Sequence, residues 1–297
     1  MTKIGLGMPG LSIGDVQRSA AAAAQYAFDS FSVYGDLGDL PPYAALHAIA
    51  DLLRGSRVRM VGPMGVPVGM QHPELIAQHA RALTEQLPGQ SFVGLVRGAF
   101  LEQIGERPAS LGQMRETVQL VRSKVDVPIY FGGFGPRILG LAGELDVAGV
   151  KMGGSTNLAL AERARKLINN DGVALVLGAV SVVDRDGAAA RRLARMEVGK
   201  YLDVVGGLDP TLDEDQRASL AEFRQRFAQR DSEAYMSIAD GLLDNFAMAG
   251  TPEEVAGRID AMRGRVDRFE LGTPHGLTDR PTAIRFIGDS ILRELGE

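Results

Sequence analysis

Residues Pro128–Gly154 read PIYFGGFGPRILGLAGELDVAGVKMGG. A short apolar run, Pro128 to Phe131, ends in a glycine loop. Pro136 then opens a leucine- and alanine-rich stretch to Glu144, at a position where its missing N–H is harmless to a helix. A second apolar run, Val147 to Met152, follows and ends in another glycine pair. Strand, loop, helix and strand in this order make one parallel βαβ unit.

The same rhythm extends in both directions. Strands are expected at Lys3 to Met8, Ser30 to Tyr34, Arg57 to Gly62, Ser91 to Arg97, Pro128 to Phe131, Val147 to Met152, Ala174 to Val182 and Arg268 to Gly272. Helices are expected at Asp15 to Tyr26, Tyr43 to Arg54, Pro73 to Gln86, Leu111 to Ser123, Pro136 to Glu144, Leu158 to Asn169, Gly187 to Val205, Pro252 to Arg263 and Pro281 to Leu295. Thr251-Pro252-Glu253-Glu254 has a hydroxyl at N-cap, proline at the first helical position and a carboxylate at the third, which together form a capping box. Ser12 to Asp15 is a weaker version. The charged, helical stretch 208–246 breaks the rhythm and reads as an insertion between the seventh and eighth units of a single domain, 1–297.

Eight βα units fit either an open doubly wound sheet or a closed (β/α)8 barrel of the TIM type, and composition does not decide between them. The 297 residues suit a barrel of about 250 residues with one insertion. With 45% hydrophobic and 23% charged residues the chain can bury a large core. A net charge of −5 gives no general attraction to nucleic acid or anionic membrane. The absence of cysteine excludes disulfides and thiolate chemistry. No metal site is expected either: His72 and His79 are seven apart, not four, and His47 lies in an apolar helix. No apolar run reaches the ~18 residues of a membrane span, and the start of the chain is too short for a signal segment, so a cytoplasmic protein is expected.

In a parallel barrel, ligands bind where strands end and helices begin. Glycine clusters occur at three such places: Gly132 to Arg137, Lys151 to Asn157 and Gly272 to Gly276. Each reads as a tight turn or, with its backbone amides and helix N-terminus, as a phosphate cradle.

The stretch 132–154 resembles the fifth-to-sixth-unit signature of the luciferase-like oxidoreductases. GPMGVPVGMQHPELIAQHARALTEQLPGQSFVGL, from Gly62, is similar to their third-to-fourth-unit signature, and FAMAGTPEEVAGRID with FELGTPHG to their C-terminal one. Within that superfamily the likeness is strongest to methylenetetrahydromethanopterin reductases and related enzymes that use the deazaflavin coenzyme F420. The resemblance implies a closed barrel with a flavin-type ring in its mouth. It places the phosphate tail against Gly132, Gly133, Gly135, Gly153, Gly154 and Ser155, and a bulge with a non-proline cis peptide at Met64-Gly65 behind the ring. It also implies a homodimer, for which helices Tyr43 to Arg54 and Pro73 to Gln86 carry enough apolar residues.

Three acid or base positions of the reductases are altered. A glutamate ending the first strand is replaced by Gly7, an Asp-His pair after the second strand by Gly35-Asp36, and an aspartate after the fourth by Ala99. Candidates for chemistry are then Tyr34, Asp36 and Arg97, with His275 after the last strand. Asp36 is the one carboxylate that this likeness puts near the ring, although it reads equally as a turn former between Gly35 and Gly38. The expected activity is hydride transfer from reduced F420 to an electrophilic carbon of a small substrate such as an imine, enone or pterin. An FMN-dependent monooxygenase is the alternative, and a non-catalytic barrel kept for binding is a further one.

Overall fold

The computed structural model describes residues 2–295. Ten strands run through it: β1 (Lys3–Met8), β2 (Ser30–Val33), β3 (Val61–Pro63), β4 (Val66–Pro67), β5 (Val93–Val96), β6 (Ile129–Gly132), β7 (Gly149–Gly153), β8 (Ala174–Val183), β9 (Ala247–Gly250) and β10 (Arg268–Gly272). They pair in the order β3-β2-β1-β10-β8-β7-β6-β5-β4, all in parallel. β3 and β4 are two halves of one ring position. The Val61 N–H donates to Gln90 O at 2.7 Å and Phe92 N–H to Val61 O at 3.0 Å, which joins β3 to the segment entering β5 and closes a (β/α)8 barrel.

Helix starts with local chemistry fall where the sequence puts them. Pro73–Gln86 and Pro136–Glu144 begin at their prolines, and Thr251 and Glu254 form the reciprocal capping box of Pro252–Asp260. His72 caps the first of these by accepting from Glu74 N–H at 3.2 Å. His79 stacks on Tyr43 with 4.8 Å between ring centroids.

Other boundaries move. The expected third strand, Arg57 to Gly62, forms only from Val61 and is then interrupted at Met64-Gly65, so β4 was missed. Tyr43 to Arg54 is two short helices, Pro42–His47 and Ala50–Leu53, broken where Ala48 O accepts from the Gln17 side-chain amide. Gly187 to Val205 likewise splits into Gly187–Gly199 and Leu202–Gly206, because Tyr201 turns out of the helix and its hydroxyl donates to Phe246 O at 2.8 Å. Strand β9, also unforeseen, pairs with the far end of the long β8.

The main core lies between the strands and the outer helices, with Ile4, Leu6, Phe31, Phe131, Leu177 and Phe269 at its centre. A second apolar cluster runs from Ala190 and Val198 through Phe223 to Phe246, so the layer beside the mouth starts before the expected insertion at 208 and includes the helix Gly187–Gly199. Inside the barrel many inward positions are glycine. A side-chain carbon on Gly149 would meet the Tyr130 ring at 2.6 Å, and one on Gly178 would meet the Lys151 chain at 2.9 Å. These glycines make the room in which Met60, Met64, Phe92, Tyr130 and the polar chains above them pack. No helix among the described residues is long and apolar enough to cross a membrane.

Candidate active site

The floor of the barrel mouth is polar. Lys151 of β7 and Glu270 of β10 form an ion pair, with side chains only 8% and 3% exposed. Ser32 Oγ of β2 donates to Glu270 Oε1 at 2.9 Å, so the carboxylate has a neutral donor as well as a charged one. Tyr34, just past β2, lies with its ring 4.8 Å from Lys151 Nζ. Burial first, and then the charge of Glu270, hold the Tyr34 hydroxyl well above the ordinary phenol range, so it stays a donor at neutral pH.

Gly7 now has a physical account. A side chain there would collide with the Tyr34 hydroxyl and the Glu270 carboxylate, which fill its space from β2 and β10. The carboxylate that the sequence seemed to have lost at the end of the first strand is thus supplied by the last. Gly35 is explained in the same way. The carbonyl of Gly65, in the cis Met64-Gly65 bulge, sits where a Gly35 side chain would begin.

Above this floor, Asp36 and Asp39 from the β2 loop face His275 from the β10 loop. His275 Nε2 is 3.6 Å from Asp36 Oδ2 and 3.4 Å from Asp39 Oδ2. The Asp36 side chain is 42% exposed and that of Asp39 only 10%. Burial pushes the Asp36 carboxyl above the usual carboxylate range; His275 and Lys151 oppose this and Asp39 adds to it. Asp36 is therefore not the only carboxylate at the mouth, since Asp39 and Glu270 share it.

The His275 loop is held from two sides. Thr273 N–H donates to Gly7 O at 2.8 Å, and the buried Arg280 donates to Thr273 Oγ1 at 3.1 Å and Pro274 O at 2.7 Å while pairing with Asp15. From the helical layer, buried Glu197 accepts from the His275 and Gly276 amides at 3.1 and 3.2 Å and from Lys200 Nζ at 2.6 Å. None of Asp39, Lys151, Glu197 and Glu270 was singled out from sequence. The available signal was a lone charge inside an apolar strand, as in VKM and FEL, since such a charge needs a partner once buried.

The glycine loops after β6 and β7 differ. The helix Pro136–Glu144 has no side-chain cap, and side-chain carbons on Gly135 or Gly153 would meet no atom within 4 Å. The second loop has already used its donors: Gly154 and Ser155 amides donate to Gly178 O at 2.6 and 3.0 Å, and Asn157 caps the next helix. It can offer open space where the first can also offer amides. Gly132 packs against Val96 and Gly133 donates to Lys151 O at 3.1 Å. Arg97 is exposed and donates to Ala109 O at 2.5 Å, within its own loop and not towards Asp36.

Comparison with known proteins agrees with this architecture. The luciferase-like monooxygenase family model matches residues 122–268. A 5,10-methylenetetrahydromethanopterin reductase of Archaeoglobus fulgidus is 28% identical over 273 residues, covering 75% of this chain and 79% of the relative. One of Methanolobus tindarius is 30% identical over 180 residues, covering 56% of this chain and 54% of that protein. The coenzyme F420-dependent tetrahydromethanopterin reductase of Methanopyrus kandleri superposes with a TM-score of 0.79 at 16% identity, covering 99% of both chains. An FMN complex of the oxygenating constituent of 3,6-diketocamphane monooxygenase from Pseudomonas putida gives 0.67 at 16% identity, covering 99% of this chain and 98% of that one. In sequence the chain is thus similar to luciferase-like proteins and to methylenetetrahydromethanopterin reductases, and it shares the barrel fold of the solved structures.

Proposed function

We propose that this protein passes hydride from reduced coenzyme F420 to an electrophilic carbon of a small organic substrate held in the barrel mouth. The observation that supports the cofactor choice is that the sequence relatives are methylenetetrahydromethanopterin reductases and that the superposing tetrahydromethanopterin reductase of Methanopyrus kandleri is coenzyme F420-dependent. The residues present fit such a group: the space beside Gly135 and Gly153 is open, and the uncapped start of Pro136–Glu144 suits an anionic tail. When bound, reduced F420 supplies the hydride. The Met64-Gly65 bulge would then back the ring, Gly132, Gly133, Gly135, Gly153 and Gly154 would line the tail side with the buried Ser155 holding the second loop from behind, and Asp36 and Tyr34 would face the substrate. Transfer of this kind asks mainly for positioning and exclusion of water.

The matching family model is named for monooxygenases, and one similar fold holds FMN, which keeps the FMN reading in play. Titrating F420 and FMN into the purified protein separates the two. F420 should bind, and its reduced form should be oxidised by an imine, enone or pterin acceptor; tight FMN binding without F420 binding would overturn the proposal.

The tail position has its own test. Gly153→Val adds carbons only to open space and should weaken F420 binding by about tenfold or more with no loss of fold. Gly154 is a poorer site to alter, because its φ of +79° and the Tyr201 ring 3.2 Å away penalise any side chain. Unchanged affinity in the Gly153 variant would move the tail elsewhere. We also propose a homodimer through the helices around Leu52 and Leu75, both exposed on the early units. Sedimentation equilibrium at micromolar concentration should return twice the chain mass, and a monomer mass would contradict it.

A further inference from the structure

We infer that the substrate docks through a positively charged nitrogen held by Asp36 and Asp39, and so belongs to the iminium or protonated-imine class. The inference rests on the hydride-transfer reading and names the substrate of that same site.

The argument begins with unanswered charge. Around the mouth, Asp15 has Arg280, Glu197 has Lys200 and Glu270 has Lys151. Among the described residues, Asp36 and Asp39 have within 4 Å only the His275 ring, at 3.6 and 3.4 Å, beyond good hydrogen-bond length, while Lys151, already paired with Glu270, acts on Asp36 from farther off. Asp39 Oδ2 is buried, has no hydrogen-bond partner, and lies on a side chain nine-tenths covered. A buried carboxylate oxygen left in that state is costly, and a cation alongside relieves the cost. With a neutral imidazole the cluster carries two negative charges, and with a protonated one it still carries one. Asp36, 42% exposed, is the face through which a ligand reaches it.

A second observation is the sidedness of the mouth. Arg97 and Arg137 are exposed at the ends of β5 and β6, across the ring from β1, β2 and β10. An anionic group is favoured on that side and a cationic one on the Asp36 side, so a cofactor tail and a charged substrate would not compete.

The chemistry then closes without a protein acid. With reduced F420 bound, the carbon of a C=N⁺ group would take the hydride and the π pair would move to nitrogen, giving an amine without a proton from the protein, while the cofactor's ring N–H proton would pass to solvent.

Isothermal titration of 2-phenylethylammonium and 2-phenylethanol tests the docking directly, with and without F420. The ammonium should bind at least about tenfold more tightly than the alcohol. Asp36→Asn, at an exposed position, and Asp39→Asn should each remove most of that preference, with circular dichroism confirming the fold. Equal affinities, binding of neither probe, or a preference that survives in both variants would overturn the inference. F420 binding is scored separately on the same protein. If F420 fails to bind while the ammonium preference holds, the hydride reading falls and the cation site stands.

Discussion

Replacing Asp36 with asparagine should lower turnover by about 100-fold, or about 2.7 kcal/mol of transition-state stabilisation, while F420 affinity barely changes. Asparagine keeps the length and hydrogen-bonding reach of the side chain but has no charge and no titrating proton. The pH profile tells which of these properties matters. Burial raises the Asp36 carboxyl above its usual range, Asp39 adds to the rise, and His275 and Lys151 oppose it. If the carboxylate orients a cationic substrate, the working form exists above that raised value, and kcat/KM should fall as pH drops through it. If Asp36 donates a proton, the working form exists below it, and kcat/KM should fall as pH rises. In either case the asparagine variant loses that limb. Near-normal turnover would reduce Asp36 to a turn former, since asparagine serves that purpose equally well.

Glu270→Gln should cost about 3–5 kcal/mol of folding stability, because it leaves the Lys151 ammonium buried beside a neutral amide. The pair itself need not be strongly stabilising. Taking two charges out of water offsets most of their attraction, and the large effect comes from breaking the pair, not from its presence. The double variant Lys151→Met with Glu270→Leu should therefore recover most of the loss, although it would leave Tyr34 without its charged neighbours. Urea unfolding of the three proteins makes the comparison. A Glu270→Gln protein as stable as the parent would mean that water reaches the floor of the barrel.

The sequence shows the fold where local chemistry is strong. Pro73 and Pro136 start helices because proline at the first turn loses no hydrogen bond, and Thr251 with Glu254 satisfies amides that any helix leaves open. The regular alternation of strand and helix made a barrel or an open sheet the only choices. Likeness to the luciferase-like oxidoreductases favoured the barrel, and the ring of parallel strands bears this out. The same likeness anticipated the Met64-Gly65 cis peptide.

The site was much less legible, and the glycines show why. In a sequence, Gly7 and Gly35 read as missing acids. In the fold, Gly7 is space taken by Tyr34 and Glu270, and Gly35 is space taken by the Gly65 carbonyl. A glycine's meaning is set by what approaches it, and here the approach comes from strands at opposite ends of the chain. Asp36 could be named because it stands in a loop with a recognisable position. Asp39 could not, because its burial and its unpartnered oxygen exist only once the β10 loop brings His275 over it.

By itself, then, the sequence determined the alternation of the main strands and helices and the starts of the proline- and box-capped helices, since these follow from contacts within a few residues. Only the tertiary structure decided which charges are answered and which are left open at the mouth. Ring closure places β1, β2, β7 and β10 around one small volume, where low dielectric makes each unpaired charge count.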